Sequence, residues 1–178
     1  MNQVLREATT ADCDMLAAFI NAAYRGDASR QGWTTEADLL DGQRTDVQSL
    51  RETLGEPDSV ILLLFQDDKL VGSVFLQNQS RSCYLGMLTV KPNLQSNGIG
   101  KRLLQLAEEL AHDRWRASRI SMTVIHKRSE LIEWYKRRGY VETGQREPFP
   151  YREQRVGLPK TDDLEFAVLE KTLGAARL

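Results

Sequence analysis

Cysteine and histidine are scarce in this chain of 178 residues, with two of each. Cys13 and Cys83 are too few for a disulfide framework and lack the spacing of metal ligands, so each is interpreted as a small hydrophobic residue of the core. His112 and His126 have no partner at ligand spacing and are interpreted as surface or capping residues. The sequence therefore predicts no metal site.

An excess of charge of one sign is also missing. The 24 basic and 25 acidic side chains leave a net charge of −1. This balance argues against a general nucleic-acid-binding protein, which needs a basic excess. No run approaches the roughly 18 apolar residues of a membrane span, and the first ten residues lack the apolar core of a signal peptide. We therefore expect a cytoplasmic protein with no membrane partner.

The composition that remains is typical of a globular protein, with 41% hydrophobic and 28% charged residues. A chain of this length can bury a core of ordinary size. We found no internal repeat and no low-complexity segment, so we expect one domain over residues 1–178.

The first part of the chain predicts a short strand followed by helices. Thr9 and Asp12 have the spacing of a capping box, and an apolar stripe follows at helical intervals. A second helical stretch is expected to start at Thr34 or Thr35 and to resume over residues 46–54, where Gly55 follows as a stop.

The remainder predicts an antiparallel meander joined to a parallel strand–helix–strand unit. Including the first strand and two final strands, this gives a mixed α/β protein with a central sheet of about seven strands and about four helices. The three meander strands are expected at residues 59–65, 70–77 and 83–90. A helix at 98–112, a strand at 119–125 and a helix at 129–138 are expected to follow.

The loop between the third meander strand and its helix reads Gln95-Ser-Asn-Gly98-Ile-Gly100. A P-loop would need glycine at position 95 and Ser or Thr at 102, where Arg102 stands. A dinucleotide fingerprint would need glycine at 103, where Leu103 stands. Neither nucleotide motif fits. Glycines nevertheless let a backbone approach a pyrophosphate, and the free N–H groups of a helix N-terminus bind anions.

In its pattern and position this loop resembles the acetyl-coenzyme A loop of the GCN5-related N-acetyltransferase (GNAT) superfamily, Gln/Arg-x-x-Gly-x-Gly/Ala. The run from Trp134-Tyr135 to Gly139-Tyr140 resembles the fourth helix of that family. The resemblance covers about residues 4–170. It implies a GNAT-like fold and direct transfer of an acetyl group from acetyl-CoA to an amine, without a metal.

The resemblance also implies which residues bind the coenzyme. The end of the fourth strand would offer backbone groups to the pantetheine arm, and the N–H near Leu88 would stabilise the oxyanion. Many members have Asn where this chain has Arg128; Arg128 and Lys127 either contact a phosphate or form a solvated charge cluster. The coenzyme-binding set is Leu88, Thr89, Val90, Gln95, Ser96, Asn97, Gly98, Ile99, Gly100 and Lys101.

Two catalytic roles follow from the same resemblance. Tyr135 would protonate the departing thiolate. A base must deprotonate the acceptor amine, and Glu36 is the first candidate, with Glu142 and Glu165 as weaker ones. Glu36 and Trp33 stand in the segment that shapes the acceptor pocket in family members, so both are expected to bind the substrate.

Two functions remain open at the level of sequence. The first is an N-acetyltransferase acting on an amine of a small molecule or a protein. The alternative is a catalytically silent CoA-binding regulatory domain, suggested by the missing Asn and the unassigned base. Residues 147–163 are long for a plain inter-strand loop, which favours a lid over the acceptor. A homodimer formed through exposed apolar strand edges at the C-terminus is also expected.

Overall fold

The computed structural model describes residues 2–174, which contain nine strands and four α-helices. The strands are β1 (Gln3–Glu7), β2 (Leu40–Asp41), β3 (Ser59–Gln66), β4 (Lys69–Gln79), β5 (Ser82–Val90), β6 (Arg119–Ile125), β7 (Val141–Pro148), β8 (Leu158–Pro159) and β9 (Glu165–Thr172). The helices are α1 (Cys13–Tyr24), α2 (Val47–Gly55), α3 (Ile99–Trp115) and α4 (Ser129–Lys136).

Seven strands form one mixed sheet in the order β1–β3–β4–β5–β6–β9–β7, and β2 pairs with β8 separately. All neighbours in the large sheet are antiparallel except β5 and β6, which α3 connects as a parallel pair. The predicted mixed α/β class, with about seven strands and four helices, is confirmed.

Strand β3 is apolar from Val60 to Phe65 because both of its faces are covered. Ile61 and Leu63 pack with α1 and α2 in one core, and Leu62 and Leu64 pack with α3 and α4 in the other. Side chains alternate across a strand, so a continuous apolar run serves two cores. Cys13 and Cys83 are buried, one in each core, and form no disulfide.

The predicted capping box at the start of α1 is present. The Asp12 carboxylate accepts a hydrogen bond from the Thr9 N–H at 2.8 Å and binds the Arg6 guanidinium at 2.8 Å. A single aspartate thereby joins β1 to the start of α1.

The helix expected from Thr34 or Thr35 is wrong. The backbone makes one turn after Glu36, whose carbonyl accepts hydrogen bonds from Leu39 N and Leu40 N, and the chain then enters β2. Pairing of Leu40 with Pro159 in β8 replaces continued helix, so tertiary contacts override the local pattern.

The sheet ends at β7, whose eight residues are all exposed. Most of them are polar or charged, which is typical of an edge strand protected from pairing. Exposed apolar residues on strand edges towards the C-terminus are Val141 on β7, 61% exposed, and Leu158 on β8, 46% exposed, and the opposite edge strand β1 exposes Val4 and Leu5. The homodimer stays a prediction. None of the helices within residues 2–174 is long and apolar enough to cross a membrane.

Candidate functional site

Strands β5 and β6 separate along their length. They pair only through Ser82–Tyr84 and Arg119–Ser121. On its other side, β5 carries an irregularity: Ser73 faces Thr89 and Phe75 faces Gly86, so two residues of β5 oppose one of β4. Such a bulge bends its strand. The ends of β5 and β6 therefore diverge and leave an opening in the sheet.

A cavity of about 570 Å³ lies on one side of this opening, beside the start of α3; we call it the loop cavity. It is lined by nine of the residues that the sequence predicted for the site. They are Trp33, Leu88, Val90, Gln95, Ser96, Gly98, Gly100, Lys101 and Tyr135. Of the predicted coenzyme residues, Thr89 and Ile99 have buried side chains, Asn97 is exposed, and none of the three is among the lining residues.

The N-terminus of α3 faces the loop cavity. Gly98 has a φ of 80°, and a Cβ there would meet no atom within 4 Å, so its backbone is open to an approaching group. The first intrahelical bond runs from Arg102 N to the Gly98 carbonyl at 3.0 Å. The N–H groups of Ile99, Gly100 and Lys101 precede it and lack helical acceptors. With the positive end of the helix dipole, they suit a phosphate.

Gln95 holds this loop together through its side-chain amide. Its Nε2 donates to Thr34 Oγ1 at 2.7 Å and to the Val90 carbonyl at 3.1 Å. Its Oε1 accepts from Trp33 N at 2.8 Å and from Thr34 N at 3.2 Å. A Cβ at Gly32 would lie 2.4 Å from that oxygen. Because protein groups occupy the amide, Gln95 positions residues 32–34 against the end of β5.

Aromatic rings form the wall of the loop cavity. Trp134 lies 6.2 Å from Trp33 and 5.1 Å from Tyr135, measured between ring centroids, and the Arg138 guanidinium lies 3.6 Å above its ring. Trp33 was predicted to wall an acceptor pocket. The structure places it in the loop cavity, because the Gln95 bond to Trp33 N holds it beside the α3 N-terminus.

A second cavity, of about 250 Å³, lies on the other side of the opening between β5 and β6; we call it the inner cavity. Glu36 and three arginines line it, and Phe149 and Pro150 from the predicted lid border it. Later in that lid segment, Arg155 instead bonds to Ser49 of α2 at 2.7 Å. Four residues line both cavities and so mark their junction: Tyr24, Leu88, Leu131 and Tyr135.

Two tyrosines stand at this junction. The Tyr24 hydroxyl donates to the Leu88 carbonyl. Tyr135 is 5% exposed, and its hydroxyl has no hydrogen-bond partner among residues 2–174. Burial raises the pKa of both hydroxyls, and the positive charge of Arg128 opposes the rise. Tyr135 therefore keeps its proton at neutral pH and has it free to donate.

Among residues 2–174, Glu36 is the one carboxylate that lines the inner cavity, and it is 5% exposed. Its two oxygens lie 3.4 Å from guanidinium nitrogens of Arg25 and Arg128. The weaker base candidates, Glu142 and Glu165, are exposed on β7 and β9 and line neither cavity. Of the three carboxylates considered, only Glu36 stands at the opening.

Arg128 and Lys127 do not approach the phosphate-binding end of the loop cavity. Arg128 donates to the Thr34 carbonyl and to Glu36 on the inner side. Lys127 pairs with Asp163 at 2.5 Å. These contacts favour protein partners for both side chains, and a phosphate contact from either residue stays a prediction.

Sequence reasoning missed the inner-cavity residues Tyr24, Arg25 and Arg44. Tyr24 was assigned to the apolar stripe of α1, which it does complete. The signal available was the adjacent Tyr24-Arg25 pair at a helix end, but nothing in the sequence shows that this end reaches β5. Within residues 2–174, no cluster of three side chains that could hold a metal ion is found.

The fold agrees with a comparison against protein families. The family model described as "Acetyltransferase (GNAT) domain" matches residues 25–149. The chain belongs to the GNAT acetyltransferase family. This match spans α4, β5, β6 and the loop before α3, and so confirms the resemblance seen in the sequence.

Solved structures with the same fold include several GNAT proteins. The GNAT-family acetyltransferase from Streptococcus pneumoniae is 20% identical, with a TM-score of 0.67 over 97% of this chain and 100% of that chain. The ribosomal-protein-alanine N-acetyltransferase from Brucella melitensis is 21% identical, with a TM-score of 0.70 over 96% and 99%. The spermidine/spermine N-acetyltransferase SpeG from Vibrio cholerae is 16% identical, with a TM-score of 0.66 over 96% and 92%. A search of curated protein sequences gives no significant match.

Proposed function

We propose that this GNAT protein is an N-acetyltransferase that moves the acetyl group of acetyl-CoA directly to a primary amine. The observation that carries the proposal is the junction of two cavities at the opening between β5 and β6. A donor in the loop cavity and an acceptor in the inner cavity would meet beside Leu88 and Tyr135. Direct transfer needs both reactants side by side at one point.

The residues of the loop cavity fit the coenzyme. The N–H groups at the start of α3 and the open backbone at Gly98 suit a pyrophosphate, and Lys101 adds positive charge beside them. The end of β5 has left β6. The Leu88 and Val90 carbonyls already accept from Tyr24 and Gln95, so their N–H groups are what this edge would offer to an extended amide chain. Acetyl-CoA, when bound, supplies an acetyl thioester that an amine attacks with loss of a thiolate.

Three groups of the protein would act on that reaction. The Leu88 backbone N–H, beside the bulge, would donate to the oxyanion. Tyr135 would donate its proton to the thiolate as the carbon–sulfur bond breaks. Glu36 would accept the proton of the amine, directly or through water, as the carbon–nitrogen bond forms. At pH 7 only about one lysine-like amine in a thousand is unprotonated, so a base is needed.

The alternative of a silent CoA-binding domain rested on the missing Asn at position 128 and on an unassigned base. A buried carboxylate facing the acceptor side is the feature that separates an enzyme from a binding domain. Glu36 has that position, which supports the enzyme. Amine-dependent release of free thiol from acetyl-CoA distinguishes the two functions directly.

The coenzyme site is tested by Gly98→Asp, which places a carboxylate where the pyrophosphate would bind. Calorimetric titration should show acetyl-CoA binding to the wild type and a loss of at least tenfold in affinity for the variant, because like charges repel at this distance.

Gly144→Asp is a matched control for the strain of the substitution. Gly144 has a φ of 84° and no atom within 4 Å of a Cβ, as at Gly98, but it lies in β7. This control should bind acetyl-CoA like the wild type. Absence of binding to the wild type at millimolar ligand would end the proposal.

A further inference from the structure

The inner cavity carries an excess of positive charge. Arg25, Arg44 and Arg128 line it, and Glu36 is its only carboxylate among the described residues. Three positive charges against one negative leave two unbalanced. A cavity whose charge is not internally balanced is suited to a ligand of the opposite sign.

Arg44 is the cation without a counter-charge. Both Glu36 oxygens are engaged by Arg25 and Arg128 at 3.4 Å, and within residues 2–174 no carboxylate forms an ion pair with Arg44. The Arg44 side chain is half-buried, with its guanidinium carbon 5.9 Å from the centroid of the Tyr24 ring. Arg128 lies 5.8 Å from the same centroid. Two guanidinium groups thus meet at one tyrosine of the cavity junction.

The arginines also affect each other's protonation. Burial lowers the pKa of Arg25, the Glu36 charge opposes this, and the charges of Arg44 and Arg128 lower the pKa further. At Arg25 the attraction of Glu36 outweighs the repulsion from Arg44 and Arg128, and burial is the main cause of the lowered pKa. Glu36 is thereby committed to Arg25 and Arg128, so an anion beside Arg44 would supply the counter-charge that Arg44 lacks, whereas a further cation would add to the repulsion.

We infer that the acceptor is a small amino acid whose carboxylate binds Arg44 while its amine lies at the junction of the two cavities. The inference rests on the proposed function and names its substrate class. Arginine recognises a carboxylate through two parallel hydrogen bonds. The cavity of about 250 Å³ has room for about eight waters at roughly 30 Å³ each, which matches an amino acid and is small for a protein segment. Polyamines, the acceptors named for SpeG, are disfavoured by the charge.

The test compares acceptors that differ in charge. Thiol release from acetyl-CoA is measured with the free α-amino acids, β-alanine and 4-aminobutyrate, with the primary amides of the same amino acids, and with spermidine. We expect kcat/KM to be at least tenfold higher for the best amino acid than for its amide or for spermidine. The amine of an amino-acid amide is less basic than that of the free amino acid, so a larger fraction of it is unprotonated. Amine basicity alone therefore favours the amide, and a preference for the free amino acid would need another cause.

Arg44→Gln then removes the charge while keeping most of the side chain. For the amino acids it should lower kcat/KM by about 10–100-fold, the range for a hydrogen bond to a charged group, mainly through KM. For the amides the change should stay below threefold. Arg51→Gln, at an exposed position of α2, is the matched control and should behave as the wild type with both sets.

The outcomes separate this inference from the proposed function. Failure of acetyl-CoA to bind the wild type removes both. With coenzyme binding intact, silence across the amino acids, preference for spermidine, or an Arg44→Gln effect that is equal for acids and amides overturns the amino-acid inference. Where an amide or spermidine is acetylated, the proposed N-acetyltransferase stands with a different acceptor, whereas coenzyme binding without release for any amine of the panel favours the silent CoA-binding domain.

Discussion

Tyr135 is the residue on which the proposed chemistry depends most. Its hydroxyl lies at the junction of the two cavities with no partner among residues 2–174, and burial raises its pKa. If it protonates the thiolate, Tyr135→Phe should lower kcat and kcat/KM together by about 10²–10⁴-fold, because the interaction exists only in the transition state. Steady-state thiol release measures both constants.

Tyr140→Phe is the control for loss of a buried tyrosine hydroxyl. The Tyr140 hydroxyl donates to Glu108 at 3.0 Å, away from both cavities. Its removal should cost about 1.5–3 kcal/mol of stability, the range for a hydrogen bond to a charged group, and leave the rate unchanged, whereas Tyr135→Phe should leave stability nearly unchanged. Turnover of Tyr135→Phe within threefold of the wild type would make Tyr135 a packing residue.

For single residues, the sequence predicted which side chains lie at the site better than it predicted what each one does there. The stripe shared with Leu131 placed Tyr135 on an inward face, and the structure has it there. Gln95 was predicted as a coenzyme ligand from its place in the loop pattern. Its side-chain amide binds Thr34 and Val90, and a coenzyme contact from Gln95 stays a prediction. The contact with Thr34, over 61 residues, has no trace in a local motif.

Among the elements, the joint between β1 and α1 depends on one aspartate. The pKa of Asp12 is lowered from 3.8 to about 2. The hydrogen bond from Arg6 is the main cause, burial opposes it, and the hydrogen bond from the Thr9 N–H adds to the lowering. Asp12→Asn should therefore lower the free energy of unfolding at pH 7 by about 1–2 kcal/mol, a value discounted because Arg6 is 43% exposed. Urea denaturation measures it.

The pH dependence of this difference follows from the direction of the shift. The folded pKa of Asp12 lies below the unfolded one, so the stabilisation is fully present above the unfolded value of 3.8 and is lost as the pH falls towards about 2. The gap between wild type and Asp12→Asn should be constant from pH 5 to 7 and shrink below pH 4. A gap that grows on acidification would contradict the assignment.

Long elements were predictable and short ones were not. The apolar periods of α1, α3 and β3 extend over enough residues to decide their type. The two-residue strands β2 and β8 have no such pattern, and their pairing ended the helix predicted from Thr34. The bulge in β5 was equally hidden: Met87 has a φ of 48°, although nothing in its residue type favours the left-handed region.

For the molecule as a whole, the order of elements decided the architecture. A meander followed by one parallel crossover predicted a mixed sheet, which is what the chain forms. The inner cavity could not be predicted, because it joins residues from α1, from the segment after it and from β5 and β6 that are far apart in sequence. The extent of residues 1–178 as one domain stays a prediction.

That last prediction can be tested through β3, whose alternate residues belong to opposite cores. Leu63 is 0% exposed in the core with α1 and α2, and Leu64 is 2% exposed in the core with α3 and α4. Both cores pack on β3. Loss of the helices of either core would expose one face of this strand, which the other core also needs. Scanning calorimetry should therefore show one transition, with equal calorimetric and van't Hoff enthalpies.

Leu63→Ala and Leu64→Ala form a matched pair for this test. Each should cost about 2–5 kcal/mol and lower the same Tm, by about 2–4 °C per kcal/mol for a chain of this size. Because the two cores share one sheet, both variants should keep a single transition of similar width. If Leu63→Ala shifts one transition and Leu64→Ala a different one, the two sides of the sheet unfold independently, and the chain contains two cooperative units.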